Sequence, residues 1–153
     1  MIELNRAEQW WAKYLAKARQ DNNAANPLPN GGKIGNQSEE ITDLEGIGAE
    51  IAFCKNFNVW LDTDIGEERP DFDVVLKDGR KVDIKTTRYE SGHLIANRKK
   101  AKHPPDAYAL MVGTFPRYRF AGSISAARLL QEKNLVDFGY GLTYAVSQDE
   151  LKK

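Results

Sequence analysis

Arg69-Pro-Asp-Phe-Asp-Val-Val-Leu-Lys-Asp-Gly-Arg-Lys-Val-Asp-Ile-Lys-Thr-Thr87 reads as two β-rich runs joined through Lys77-Asp78-Gly79. This spacing fits a three-residue hairpin loop, a type I turn closed by a glycine in the left-handed region. Such a loop pairs Leu76 with Arg80 and, counting back along both strands, Asp73 with Asp83 and Asp71 with Lys85. Side chains on a strand alternate faces, so Asp71, Asp73, Asp83 and Lys85 would share one face and Phe72, Val74, Val82 and Ile84 the other. A two-residue loop would slip the register by one and send the first two aspartates to the wrong side. Asp-Gly followed by Arg-Lys favours the three-residue form.

Three carboxylates on one face repel one another unless a positive charge lies between them. A divalent cation meets that need, and Mg²⁺ takes one or two carboxylates while keeping positions for water and phosphate. Lys85 could orient or help deprotonate an attacking water, or stabilise developing negative charge. These are the parts required for phosphodiester hydrolysis.

Pro70-Asp71 followed by Asp83-Ile84-Lys85 resembles the PD-(D/E)XK nuclease superfamily, whose motif sets Pro-Asp on one strand and an acidic residue, any residue and Lys on the next. The resemblance spans roughly Glu50 to Gly122 with its supporting elements, but its specific part is the hairpin. Two residues compete for the first aspartate: Asp71 follows the proline, whereas Asp73 is the better cross-strand partner of Asp83. Both are taken as site residues, with Asp73 ahead on geometry. In this superfamily a glutamate from the helix before the hairpin often completes the metal site, and Glu50 is the matching position. The resemblance implies an α/β fold, a mixed central sheet flanked by helices with a restriction-endonuclease-like core.

The chain has 153 residues, enough for one domain with a real core. No apolar run reaches membrane-spanning length, and Glu3, Asn5 and Arg6 do not fit a signal peptide. A single cysteine, Cys54, excludes an internal disulfide and fits a reducing cytoplasm. Net charge is zero, yet the charges are segregated. Between Glu39 and Asp73 eleven acids face only Lys55 and Arg69; between Lys77 and Arg119 eleven bases face only Asp78, Asp83, Glu90 and Asp106. An acidic half beside a basic half suits a metal site facing a phosphate backbone, although a solvated surface can segregate charge without purpose.

Leu4, Ala7, Trp11, Tyr14, Leu15 and Ala18 follow helical spacing, which predicts an amphipathic helix over 2–20. Trp10 and Trp11 cannot both face inward, and core packing is the default for one of them. Residues 21–37, rich in Asn, Pro and Gly, read as a flexible loop that makes the first helix a loosely tethered accessory to a single nuclease-like domain over 1–153. A second helix is expected from 44–48 to about 57, with Ile47, Ile51, Cys54 and Phe57 buried and Glu50 on the same face. A carboxylate on an apolar stripe is unfavourable unless paired, metal-bound or at the rim of a site; a first-turn glutamate can also simply stabilise the helix N-terminus.

Residues 59–65 read as a short strand or turn. Thr86 and Arg88 follow the lysine and could meet a phosphate. A strand is expected over 92–96, then the basic run Arg98, Lys99, Lys100 and Lys102, a solvated loop by default and a backbone contact for DNA beside a nuclease face. His93 and His103 lack partners at zinc-ligand spacing. Near-continuous apolar character predicts a central strand over 106–112, paired to a second over 118–124. Ser125 should cap a helix over 126–132, and a short strand is expected over 143–146. No P-loop or dinucleotide fingerprint is present, so no nucleotide cofactor is expected.

The expectation is a Mg²⁺- or Mn²⁺-dependent deoxyribonuclease, cytoplasmic, phage- or mobile-element-encoded, with no membrane partner and small enough to act as a homodimer on two strands. Its metal ligands would be Glu50, Asp71, Asp73 and Asp83, with Lys85 the catalytic lysine. The rival readings are a nuclease-like DNA-binding module without catalysis and a protein-interaction module with an exposed acidic face.

Overall fold

The computed structural model describes residues 1–25, 39–66 and 70–153; the side chains of Ala25, Glu39 and Lys100 lie outside that description. The elements run β1 (Ile2–Glu3), α1 (Arg6–Ala25), α2 (Glu39–Phe57), β2 (Val74–Val75), β3 (Lys81–Thr87), β4 (Leu94–Ala96), β5 (Ala107–Thr114), β6 (Arg117–Ser125), α3 (Ala126–Leu129), β7 (Leu135–Asp137) and β8 (Leu142–Val146). Five strands form a mixed sheet in the order β1-β6-β5-β3-β2, and three form a second sheet in the order β4-β8-β7. Among the described residues, no helix is long and apolar enough to cross a membrane.

The architecture is mixed α/β. Helices α1 and α2 cover one face of the large sheet, where Leu15, Ala16, Ile47, Phe53, Val82, Ile84 and Met111 are buried together. The other face carries the small sheet and α3, with Leu94, Tyr108, Leu110, Val112, Leu129 and Val146 in a second cluster. The helices expected to flank the sheet lie on one face as α1 and α2, while the second face is roofed mainly by strands with the short α3 beside them. Strand β5 lies between the two layers, which is why Ala107 to Val112 are all buried and its sequence is continuously apolar.

Strands β3 and β5 run parallel, from Val82 opposite Ala107 to Thr87 opposite Val112. A parallel pair needs a crossover, and the one between them carries β4 and a 3-10 turn over Arg98–Lys102, whose Lys99 amide donates to the Asn97 side chain. The basic run is thus a built turn, not an open loop.

The N-terminal segment differs most from the sequence reading. Ile2 and Glu3 form an edge strand against Tyr118 and Arg117. The helix begins after Asn5, which forms a capping box with Glu8: the Glu8 amide donates to Asn5 Oδ1 at 2.9 Å and the Asn5 amide to Glu8 Oε2 at 2.6 Å. Its buried stripe is Ala12, Leu15, Ala16 and Arg19, while Ala7, Trp11 and Tyr14 point outward and Trp10 is exposed as well. Both tryptophans are therefore on the surface, packed on Tyr14 instead of in the core. The small side chains of Ala12 and Ala16 let α1 approach the rest of the main core closely, so it is an integral layer and no loose accessory. The loop expected from 21 is helical to Ala25, and its remainder, 26–37, lies outside the described residues.

Helix α2 starts earlier than expected, at Glu39; Ile47, Ile51 and Cys54 are buried as predicted, but Phe57 at its end is exposed. Tyr118 anchors the β5–β6 hairpin to this helix by donating to the Glu45 carbonyl at 3.1 Å, while Glu45 Oε2 accepts the Phe115 amide at 2.8 Å. Residues 59–65 form no strand. Ser125 caps α3 as predicted, accepting from the Arg128 amide, but the helix stops at Leu129, where Asn134 Nδ2 donates to the carbonyls of Arg128 and Leu129, each at 2.9 Å.

Candidate active site

The hairpin closes in the three-residue form. The Leu76 amide donates to the Arg80 carbonyl at 2.8 Å, and the Gly79 amide to the Leu76 carbonyl at 2.9 Å. Gly79 has φ +88°, a backbone state that suits glycine. Asp78 Oδ1 accepts the Arg80 amide at 3.1 Å and Oδ2 pairs with the Arg80 guanidinium at 2.8 Å. The amide bond, with the guanidinium beside it, holds the Asp78 carboxyl below its ordinary pKa. The register is Val74 opposite Val82 and Val75 opposite Lys81, the pairing the loop length predicts.

Regular pairing ends at Val74, and residues 71–73 bend away. Pro70 has no amide to donate, and beyond Val74 the Asp73 amide donates to the Val82 carbonyl at 3.0 Å. The expected pairing of Asp71 with Lys85 is therefore not made; Asp71 is exposed on the bend. Asp73 is half-buried, and its Oδ2 accepts the Ile84 amide at 2.6 Å. It thus grips the backbone between Asp83 and Lys85.

Asp83 and Lys85 share one face of β3 as predicted, on the side of Tyr108 and Leu110. Lys85 Nζ lies 2.7 Å from Asp83 Oδ1, with the carboxylate 3% and the lysine side chain 25% exposed. Beneath them Tyr108 is fully buried, and its hydroxyl has no hydrogen-bond partner among the described residues. Lys85 Nζ is 6.0 Å from the Tyr108 ring centre. Burial, reinforced by the charge of Asp83, pushes the Tyr108 phenol up to about 12, so the hydroxyl stays protonated and is a donor at neutral pH.

Glu50 is buried on α2, where Arg19 of α1 approaches it, Nη1 to Oε2, at 3.6 Å. Arg19 also donates to the carbonyls of Asp64 and Asp62, each at 3.1 Å, and lies 3.9 Å from the Asp62 carboxylate. A shallow cleft lined by Arg19, Asn23, Thr42, Asp43, Gly46 and Glu50 opens at this point. Cys54 lies one turn along α2, its thiol 3.8 Å from the Trp60 carbonyl. Burial first, then the negative charges of Glu50 and Asp73, push its thiol up to about 12, so both carboxylates act on the same sulfur.

Of the DNA-contact candidates, Arg88, Arg98, Lys99 and Lys102 are exposed, and the side chain of Lys100 lies outside the described residues. Thr86 is placed differently from expectation. It falls on the helix-covered face opposite Met111, and its Oγ1 is buried without a partner among the described residues, so it is not presented to a phosphate. Sequence reasoning missed Arg19 and Tyr108. The 12, 15, 16, 19 spacing of α1 is a signal that could have found Arg19; Tyr108, inside an apolar run, offers none.

No protein-family model matches the chain, and no curated protein is found as a relative. The functional reading therefore rests on the residues themselves. Among the described residues no three His, Cys, Asp or Glu side chains gather closely enough to form a metal cage. Mg²⁺ does not require one, since it is commonly held by one or two carboxylates with water and substrate phosphate completing the shell. Asp73, bonded to the Ile84 amide, and Asp83, the residue before it, are hard oxygen donors of that kind.

Proposed function

We propose that the protein is a metal-dependent deoxyribonuclease of the PD-(D/E)XK type, with a restriction-endonuclease-like core and its site on the β2–β3 hairpin. One observation carries this reading: Asp83 and Lys85 are ion-paired on one face of β3 while Asp73 is fastened to the amide between them. A structural hairpin has no need to bury a carboxylate beside a lysine, because withdrawing charge from water is unfavourable. A phosphodiesterase needs both.

Asp73 and Asp83 would hold Mg²⁺ or Mn²⁺, with the exposed Asp71 at the rim; Glu50, expected as a further ligand, sits on α2 against Arg19, on the helix-covered side of the sheet and away from the face that carries Asp83 and Lys85. The bound ion would supply Lewis-acid polarisation of a phosphoryl oxygen. Lys85 positions the attacking water and stabilises charge that develops on the phosphate, and Tyr108 buttresses the lysine from below. Arg88, Arg98, Lys99 and Lys102 contribute cations to the phosphate backbone.

The test is incubation of plasmid and linear DNA with the protein in Mg²⁺, Mn²⁺ or EDTA, alongside Lys85→Ala and Asp83→Ala. Cleavage that needs the metal and both side chains supports the reading. Metal-independent DNA binding without cleavage, unchanged in both variants, would replace it with a binding module. Absence of any DNA binding would point to a protein-interaction module.

A further inference from the structure

The β7–β8 hairpin ends in Phe138-Gly139-Tyr140-Gly141, and its two rings have no place in either core. Tyr140 is 69% and Phe138 41% exposed. The tip is nevertheless built: Asp137 Oδ1 accepts the Gly139 amide at 2.7 Å and the Gly141 amide at 3.3 Å, and both glycines take positive φ, +100° and +96°. The Asp137 carboxylate is turned into the loop by these bonds. An ordered turn that spends two glycines on displaying two rings calls for a partner.

Two features say what kind. The 3-10 turn bearing Arg98, Lys99 and Lys102 packs beside β8, and Thr143 Oγ1 donates to the Ala96 carbonyl at 2.7 Å, fixing that turn's entry to the hairpin. The turn that carries these cations is thus held against the strand that leads away from the rings. The small sheet also covers the same face of the large sheet as Asp83, Lys85 and Tyr108, and the His93 ring, which precedes β4, stands 6.1 Å from Phe138. Exposed rings with flanking cations are what single-stranded nucleic acid binds, because unstacked bases offer a π-face to any ring while the backbone offers charge. A duplex keeps its bases stacked and could use only the cations.

We propose that the Phe138–Tyr140 tip, with Arg98, Lys99 and Lys102, is a stacking platform for unpaired bases of DNA, so that the substrate is DNA carrying a single-stranded segment. The choice of DNA rests on the deoxyribonuclease reading; the preference for unpaired bases rests on the tip alone.

Fluorescence anisotropy in EDTA, with a labelled single strand of about 16 nucleotides and the matching duplex, tests it without any cleavage. The full chain binds the single strand about tenfold more tightly than the duplex. Phe138→Ala and Tyr140→Ala each weaken single-strand binding about tenfold, near 1.4 kcal/mol, and leave duplex binding unchanged, while Tyr140→Phe keeps the affinity. A 2-aminopurine in the strand is quenched by the full chain and not by Tyr140→Ala. Equal affinity for both forms, an unaffected Tyr140→Ala variant, or ring-dependent capture of anionic phospholipid vesicles in place of DNA would overturn the proposal. Ring-dependent single-strand preference in a protein that cleaves nothing would support the platform and remove the nuclease reading, so the two fail separately.

Discussion

Lys85 Nζ and Asp83 Oδ1 are 2.7 Å apart on the same face of β3, the carboxylate almost wholly withdrawn from water and the lysine still reaching it. Held by that carboxylate, the ammonium has little rotamer freedom left to lose when a phosphate arrives, which is the preorganisation electrostatic catalysis depends on. Lys85→Ala is expected to lower the DNA cleavage rate about 100-fold or more with an unchanged circular dichroism spectrum. Lys85→Arg, which keeps charge but not the compact ammonium, should recover only part of it. Full activity in Lys85→Ala would remove the lysine from the mechanism.

Asp73 and Asp71 are separable because the bend gives them different surroundings. Asp73→Asn weakens a charge-assisted bond to the Ile84 amide and is expected to lower stability by about 1 kcal/mol while abolishing metal-dependent cleavage. Asp71→Asn, on an exposed residue, should leave the denaturation midpoint unmoved and reduce cleavage less. Urea denaturation and a plasmid assay on both variants decide which aspartate is the ligand; the reverse order would place Asp71 there.

The thiol of Cys54 predicts a pH dependence. Its ordinary pKa is 9.0, and in the fold it is raised to about 12. Below pH 9 both folded and unfolded chains carry the proton. Between 9 and 12 only the unfolded chain releases it, so this residue's contribution to stability falls as pH rises through that window, by at most about 1.4 kcal/mol per pH unit. Cys54→Ala should flatten the dependence of the urea midpoint on pH above 9, and Asp73→Asn should shift the thiol titration, followed by thiolate absorbance, downward. A slope identical in wild type and Cys54→Ala would rule the thiol out as its source.

The two glycines of α2 make opposite predictions. A Cβ at Gly46 meets nothing, so Gly46→Ala should stabilise the helix by about 0.5–1 kcal/mol. A Cβ at Gly48 meets Tyr118 Oη and the Phe115 ring, which are held by Glu45, so Gly48→Ala should destabilise by about 1–3 kcal/mol. Thermal melts of both variants check the sign of each effect.

The hairpin was legible because a loop length and a period of two fix its register with local information alone, and β5 because burial on both faces leaves an unbroken apolar run. Asp83 and Lys85 inherit their placement from that register. What the sequence hid was decided at a distance. Trp11 and Tyr14 satisfy a helical period but lie on the open side with Trp10, since α1 packs through Ala12 and Ala16, residues too small to dominate a pattern. The second sheet depends on β4 pairing with β8 across some fifty residues, and nothing local to Leu94–Ala96 announces that partner. Asp71 left the strand because pairing stops at Val74 and residues 71–73 bend, an outcome that counting positions does not capture.

Arg19 ties α1 to α2 and to the segment that follows it. It is 7% exposed, donates to the carbonyls of Asp62 and Asp64, and faces the carboxylates of Glu50 and Asp62. A lysine retains the charge but cannot reach two carbonyls and two carboxylates with a planar fork. Arg19→Lys is therefore expected to lower stability by about 1–3 kcal/mol, and Arg19→Ala by about 3–5 kcal/mol, because buried carboxylates lose a counter-charge. If Glu50 belongs to the metal site, loss of that counter-charge leaves it more available to a cation, and Arg19→Lys should lower the Mg²⁺ concentration needed for half-maximal cleavage even as it lowers the melting temperature. An unchanged Mg²⁺ dependence in a destabilised variant would confine Glu50 and Arg19 to holding α1 on α2.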